Sequence, residues 1–173
     1  MTVVHTCDLD AAARGAVREM LDGAFDGGFG DDDWEHCLGG MHALLHDGPD
    51  LVAHASVVQR RLLHGGRALR AGYVEAVAVR ADRRRVGHAT AVMAAMHRVI
   101  RGGYDLGALS PTEQAVQLYT GLGWQVWRGP TSVLAPDGVR RTPGEDGGVL
   151  VLPAVPLDLD GDLICDWRDG DVW

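Results

Sequence analysis

The six residues Arg84-Arg85-Val86-Gly87-His88-Ala89 lie between a strand-like run, Val74 to Val79, and a helix-periodic segment. The first amides of a helix have no acceptor within it and carry the positive end of its dipole. Gly87 and Ala89 leave room for phosphate oxygens to approach them. That is the chemistry of a phosphate-bearing ligand, although the same residues also fit a charged turn capped by glycine. Glu75 lies in the preceding run, on one strand face with Tyr73, Val77 and Val79 by the two-residue period. A carboxylate there is paired, wet or functional. To act as base toward an amine it needs a water relay or a pKa raised by burial; as a structural group it could pair with an arginine such as Arg70. Tyr119, one residue after the core-type Leu118, could protonate a thiolate, although a helical aromatic more often packs in a core. The backbone around Val77 could donate an N–H to a carbonyl and pair with an extended amide ligand as an added strand.

Other constellations carry less. His42 and His46 are four apart in a strand run, about 13 Å along one face, too far to share a metal, so no metal site is expected. Cys7, Cys37 and Cys165 are widely spaced and odd in number, which reads as reduced thiols rather than a disulfide framework or zinc site. Ser110-Pro111-Thr112-Glu113 has the form of a capping box, and capping accounts for Ser110.

The positioning elements follow from periodicity. Residues 3–6 read as a short strand, and Ala13, Val17, Met20, Leu21 and Ala24 mark an amphipathic helix starting at Asp10. Phe25 to Asp33 is a loop and plausible substrate lip, with a turn of helix at Asp33 to His36. Met41 to His46, Leu51 to Arg61 and Arg70 to Val79 make three antiparallel strands joined by turns at Asp47-Gly48-Pro49 and His64-Gly65-Gly66. A long helix follows the arginine loop and stops at Gly102-Gly103. Leu106 to Leu109 is a buried strand, and a helix is expected from Pro111 to about Leu122. Trp124 to Trp127 and Val149 to Leu152 read as strands separated by a long loop from Arg128 to Gly148. The result is a single α/β domain over 1–173 with a central, mostly antiparallel mixed sheet. Its parallel strand pair, on either side of the long helix, can splay to admit a ligand.

The chain of 173 residues is long enough for one domain with a true core, and its formal charge of −8 disfavours nucleic acid. All sixteen basic residues are arginine. Acidic groups at Asp31 to Asp33, Glu145-Asp146 and Asp166, Asp169 and Asp171 suit a cationic partner, although each alone reads as solvated surface. No leader-like or bilayer-length apolar stretch is present, so a soluble cytoplasmic protein without a membrane partner is expected.

The R-x-x-G-x-A turn resembles the acyl-coenzyme A loop of the GNAT N-acetyltransferases. Asp33 to Leu44, Gly72 to Asp82, Leu106 to Ser110, Gly129 to Pro136 and Cys165 to Trp173 together resemble the aminoglycoside 2′-N-acetyltransferases across nearly the whole chain. The resemblance implies a GNAT acyl-CoA N-acyltransferase fold, acetyl-CoA as co-substrate, a cationic aminoglycoside or other aminosugar as acceptor, and a homodimer. It implies Glu75 as water-relayed base, Tyr119 as general acid, and Val77, Ala78, Val79, Arg84, Arg85, Val86, Gly87, His88 and Ala89 as coenzyme contacts. On the acceptor side it implies Glu75, Ala76, Ser110, Glu145, Asp171 and the terminal carboxylate of Trp173, with Asp33 and Asp26 in the lip. Two positions depart from the pattern. Gly28 stands where an acidic residue is expected before Phe29, leaving Asp26 as nearest replacement, and Ala76 stands where glycine is usual. An endogenous amine or cell-wall aminosugar is the alternative acceptor. A catalytically silent acyl-CoA or aminoglycoside binding module is the alternative class, and the presence of Glu75 and Tyr119 argues against it.

Overall fold

Asp10 starts the first long helix because its carboxylate accepts the Ala13 amide at 2.8 Å, satisfying one of the first-turn donors. The computed structural model describes residues 1–173. By contacts they divide into two compact units, Met1–Val58 with Val74–Val99, and Gln59–Tyr73 with Ile100–Trp173. Strands β3 (Asp50–His64) and β4 (Arg67–Val79) run through both.

The first unit holds β1 (Thr2–His5), α1 (Ala11–Ala24), α2 (Asp31–His36), β2 (Met41–Asp47) and most of α3 (His88–Gly103). β1 pairs antiparallel with β2, and β2 with β3, with a register shift between Leu45 and His46. The spacing of α1 puts Val17, Met20 and Leu21 on one buried face, packed with Leu9, Phe29, Cys37, Leu44 and Ala78. Burying each such aliphatic side chain contributes about 1.5–3 kcal/mol. The helix stops where Asp26 and Gly27 take φ of 51° and 79°.

β4 does not alternate regularly to its end. Ala76 has φ 46° and lies partly buried against the α1 cluster, so the strand bulges one residue after Glu75. A left-handed alanine costs about 1–2 kcal/mol, a strain that glycine at the same φ would not carry. Ala76→Gly is therefore expected to stabilise by up to about 1 kcal/mol, the strain relieved less the larger unfolded-state entropy of glycine. Thermal denaturation checks this; a lower melting temperature would mean that the packing of the methyl group outweighs the strain.

The second unit holds β5 (Leu106–Leu109), α4 (Val116–Gly121), β6 (Gln125–Val126), β7 (Thr131–Ala135), β8 (Gly138–Arg141), β9 (Leu150–Pro153) and β10 (Leu163–Asp166). Its strand order is β6-β9-β5-β4-β3-β10-β7-β8. β4 and β5 are parallel, with Ala71 opposite Leu106 and Gly72 opposite Gly107. That glycine pair is a packing device. A Cβ on Gly72 would lie 2.9 Å from the Tyr104 ring, and one on Gly107 2.9 Å from both Ile100 and Trp124, so three large side chains seat directly on bare backbone.

Three expectations from sequence are corrected here. The segment 128–148 is not one loop, because Thr131–Ala135 and Gly138–Arg141 form an antiparallel hairpin around Pro136-Asp137. β10, absent from the sequence reading, pairs parallel with β7 and antiparallel with β3. The helix expected from Pro111 is a short 3-10 turn, Glu113–Ala115, followed by α4, because Thr112 is extended at φ −63° and ψ 153°. Ser110 caps nothing: its hydroxyl donates to the Glu145 carboxylate.

Candidate active site

In the first unit, the arginine loop and the bulged end of β4 carry the expected coenzyme contacts. Arg84 donates from Nε to the Val79 carbonyl at 3.2 Å and from Nη2 to the Ala24 carbonyl at 3.0 Å, pinning the loop to the ends of β4 and α1. Its neighbours are committed to carboxylates: Arg80 lies 2.7 Å from Asp82 and 3.3 Å from Asp50, and Arg83 lies 3.4 Å from Asp47. Arg85, exposed and left-handed at φ 65°, and Gly87 at φ 88° turn the chain into α3. The Gly87 carbonyl accepts from Ala91, so His88 and Ala89 present first-turn amides. Apart from its own chain neighbours, nothing lies within 4 Å of where a Gly87 side chain would start. The loop thus fits an anionic phosphate group on its own geometry.

Glu75 is half-buried, and its carbonyl accepts from the Ser56 hydroxyl at 3.3 Å. The alternative partner considered from sequence, Arg70, pairs instead with Asp105 at 3.4 Å. Val77 and Val79 are half-buried and Ala78 is buried. Asp26 sits on the α1–α2 connection and Asp33 in the first turn of α2, where its carboxylate accepts the Gly30 amide at 2.7 Å.

In the second unit, four of the acceptor-side candidates, Ser110, Glu145, Asp171 and Trp173, are linked to one another. Ser110 Oγ lies 3.4 Å from Glu145 Oε2. Burial raises the pKa of Glu145, and the charge of Asp171 raises it further. Two like charges held near each other favour a bound cation, which relieves both. Asp171 Oδ1 accepts the Trp173 amide at 3.1 Å, and Arg168 donates to the Asp171 carbonyl at 2.7 Å and to an oxygen of the Trp173 terminal carboxylate at 3.1 Å. The Trp173 indole is buried and donates to Thr142 Oγ1 at 2.9 Å, so the tail is built into the unit. Tyr119 is buried edge-on to Trp124, and burial pushes its phenol up to about 12. It is therefore protonated across neutral pH.

Sequence reasoning missed His54. Both His42 and His54 are fully buried, with His42 Nδ1 3.0 Å from His54 Nε2. The signal was two histidines in otherwise apolar strand runs, but their meeting depends on a register that pairs Leu44 with His54. Burial lowers His42 to about 4, helped by the charges of His5 and Arg14. Burial likewise lowers His54 to about 3, partly opposed by its bond to the Ala76 carbonyl. Both folded values lie below the 6.5 of a free imidazole, so unfolding takes up protons. Stability should be full above pH 6.5 and fall as the pH drops from there through about 4 toward 3. Urea unfolding at several pH values checks this, and His42→Gln should flatten the decline.

The family described as acetyltransferase (GNAT) domain matches residues 16–127. An aminoglycoside 2′-N-acetyltransferase of Mycolicibacterium fortuitum is 56% identical over 99% of this chain and 90% of its own. Among solved structures, a GNAT family acetyltransferase from Brucella melitensis in complex with acetyl-CoA superposes with a TM-score of 0.63 at 13% identity, covering 94% of this chain and 93% of its own. Eis1 of Mycobacterium abscessus superposes at 0.62 and 17% identity over 76% of this chain, which spans 33% of Eis1.

Proposed function

Because the chain belongs to the GNAT N-acetyltransferases and, within them, to the aminoglycoside 2′-N-acetyltransferase family, we propose that it moves acetyl from acetyl-CoA directly to the 2′-amine of aminoglycosides. The identity over almost the full chain to an enzyme of that name carries this reading. The arginine loop, pinned by Arg84 and opening into α3, supplies amides for the coenzyme phosphates. Bound there, acetyl-CoA supplies an activated acyl group.

The amine attacks in its neutral form, and Glu75 takes one of its protons through a water as nitrogen bonds to carbon. A carboxylate is a weak base toward a free amine, so the relay acts where bonding to carbon lowers the pKa of the nitrogen. The Val77 amide polarises the acyl oxygen. Tyr119 gives its proton as the C–S bond breaks and the C–N bond forms, so no covalent enzyme intermediate is needed. Ser110, Glu145 and Asp171 hold the cationic sugar, the Glu145–Asp171 repulsion being relieved by its ammonium groups. No helix is long and apolar enough to cross a membrane; cytoplasmic location and a homodimer complete the proposal. The test is the position of acetylation on a drug with both 2′- and 6′-amines. A 2′-acetyl product supports the reading, whereas acetylation only at the 6′ position, or none, overturns it.

A further inference from the structure

A buried line of polar groups in the first unit ends at the β4 bulge. The Thr6 hydroxyl lies 2.7 Å from His42 Nε2, His42 Nδ1 3.0 Å from His54 Nε2, and His54 Nδ1 2.8 Å from the Ala76 carbonyl oxygen. Thr6 is 8% exposed and both histidines 0%. The chemistry of the groups allows one placement of protons when both rings are neutral. A carbonyl only accepts, so His54 carries its proton on Nδ1 and accepts at Nε2. His42 must then donate from Nδ1 and accept at Nε2, and the Thr6 hydroxyl, which also has the Gly40 carbonyl at 3.1 Å, gives its single proton to that nearer nitrogen. Thr6 Oγ1 itself accepts the Gly39 and Gly40 amides at 3.0 and 3.2 Å. Every ring nitrogen is used, and burial holds both rings neutral.

β3 adds a second hold one residue back, where buried Ser56 donates to the Glu75 carbonyl at 3.3 Å. The carbonyls on which these side chains close belong to Glu75 and to Ala76, the left-handed residue. A strained alanine persists only where its surroundings over-determine it. An apolar filling of the same volume would serve stability as well as a buried polar line does, so the line has another use. The carbonyl at its end cannot pass a proton on, so that use is orientation rather than proton transfer.

We propose that His42 and His54 are positioning residues: the one-directional chain Thr6 to His42 to His54 to Ala76 fixes the bulge and thereby the aim of the Glu75 carboxylate and the Val77 amide on either side of it. The catalytic consequence rests on the acetyl transfer proposed above; the proton placement does not. Two measurements on the full chain test it. In the first, ¹⁵N imidazole spectra of the wild type at pH 7 should show both rings neutral with the proton on Nδ1; a proton on Nε2 of either ring overturns the proposal.

The second is steady-state kinetics with acetyl-CoA and tobramycin, an acceptor with 2′- and 6′-amines, alongside calorimetric binding of coenzyme A. His54→Phe fills the volume without a donor and should lower kcat about 10²-fold, the effect of misaiming a reacting group by about 1 Å, with coenzyme affinity within twofold. His54→Asn, whose amide reaches the place of Nδ1, should recover kcat to within tenfold of wild type. If His54→Phe does not fold, the asparagine variant and the spectra decide. Parallel losses in kcat and coenzyme affinity, or unchanged kcat in the phenylalanine variant, overturn the positioning role. A wild type inert toward tobramycin with both tautomers as assigned overturns the functional reading and, with it, the catalytic half of this proposal. An active wild type with the opposite tautomers overturns this proposal alone.

Discussion

Tyr119→Phe is expected to lower kcat for aminoglycoside acetylation by about 10²–10³-fold, the usual worth of a positioned general acid, while the affinity for acetyl-CoA changes little. The ring is retained, so the edge contact with Trp124 and its burial should survive. Only the proton donor is lost. Burial sets a second expectation: with the phenol near 12, the alkaline side of the wild-type kcat profile should show no loss of activity near pH 10 from Tyr119 ionisation. Glu75→Gln should likewise lower kcat more than coenzyme affinity, because the amide cannot take a proton. Turnover by coenzyme A thiol release, beside calorimetry, checks both variants. Losses of equal size in turnover and binding would make the two residues structural.

Asp166→Ala is expected to destabilise the protein by about 3 kcal/mol, which for this chain length lowers the melting temperature by about 6–12 °C. Arg60, 4% exposed, donates from Nε to Asp166 Oδ1 at 2.7 Å and from Nη2 to the Asp166 carbonyl at 2.8 Å, and stacks 4.7 Å over Tyr73. Removing the carboxylate leaves a buried guanidinium without its counter-charge. The side chain of Asp166 is 41% exposed, so water can partly replace it, which holds the cost to the lower end for buried pairs. Removing both partners in an Arg60→Leu, Asp166→Ala double variant should recover a large part of the loss, since no charge then remains buried. Thermal and urea unfolding of the set checks this. A single variant as stable as wild type would show that the pair is solvated in solution.

The chain by itself determined what depends on neighbours in sequence. The period of α1, the three antiparallel strands with their glycine turns, the long helix after the arginine loop, and the strand at Leu106 all follow from local pattern. So does the turn through Gly87 into α3, because a glycine that reverses the chain ahead of a helix is a short-range feature of backbone geometry. The hairpin at Thr131–Arg141 carried a Pro-Asp-Gly turn that could have been read, but its second strand, Val139-Arg140-Arg141, is exposed and lacks the apolar alternation that marks a strand.

Tertiary structure alone decided the rest. The capping box at Ser110 does not form, and its exposed hydroxyl donates instead to Glu145, 35 residues away. Ala76 adopts a conformation that its side chain disfavours because neighbouring strands hold its carbonyl, and His42 meets His54 through strand register. Local propensities are worth tenths of a kcal/mol to about 1 kcal/mol per residue. Buried hydrogen bonds and charges between distant segments are worth more, and they prevail wherever the two conflict.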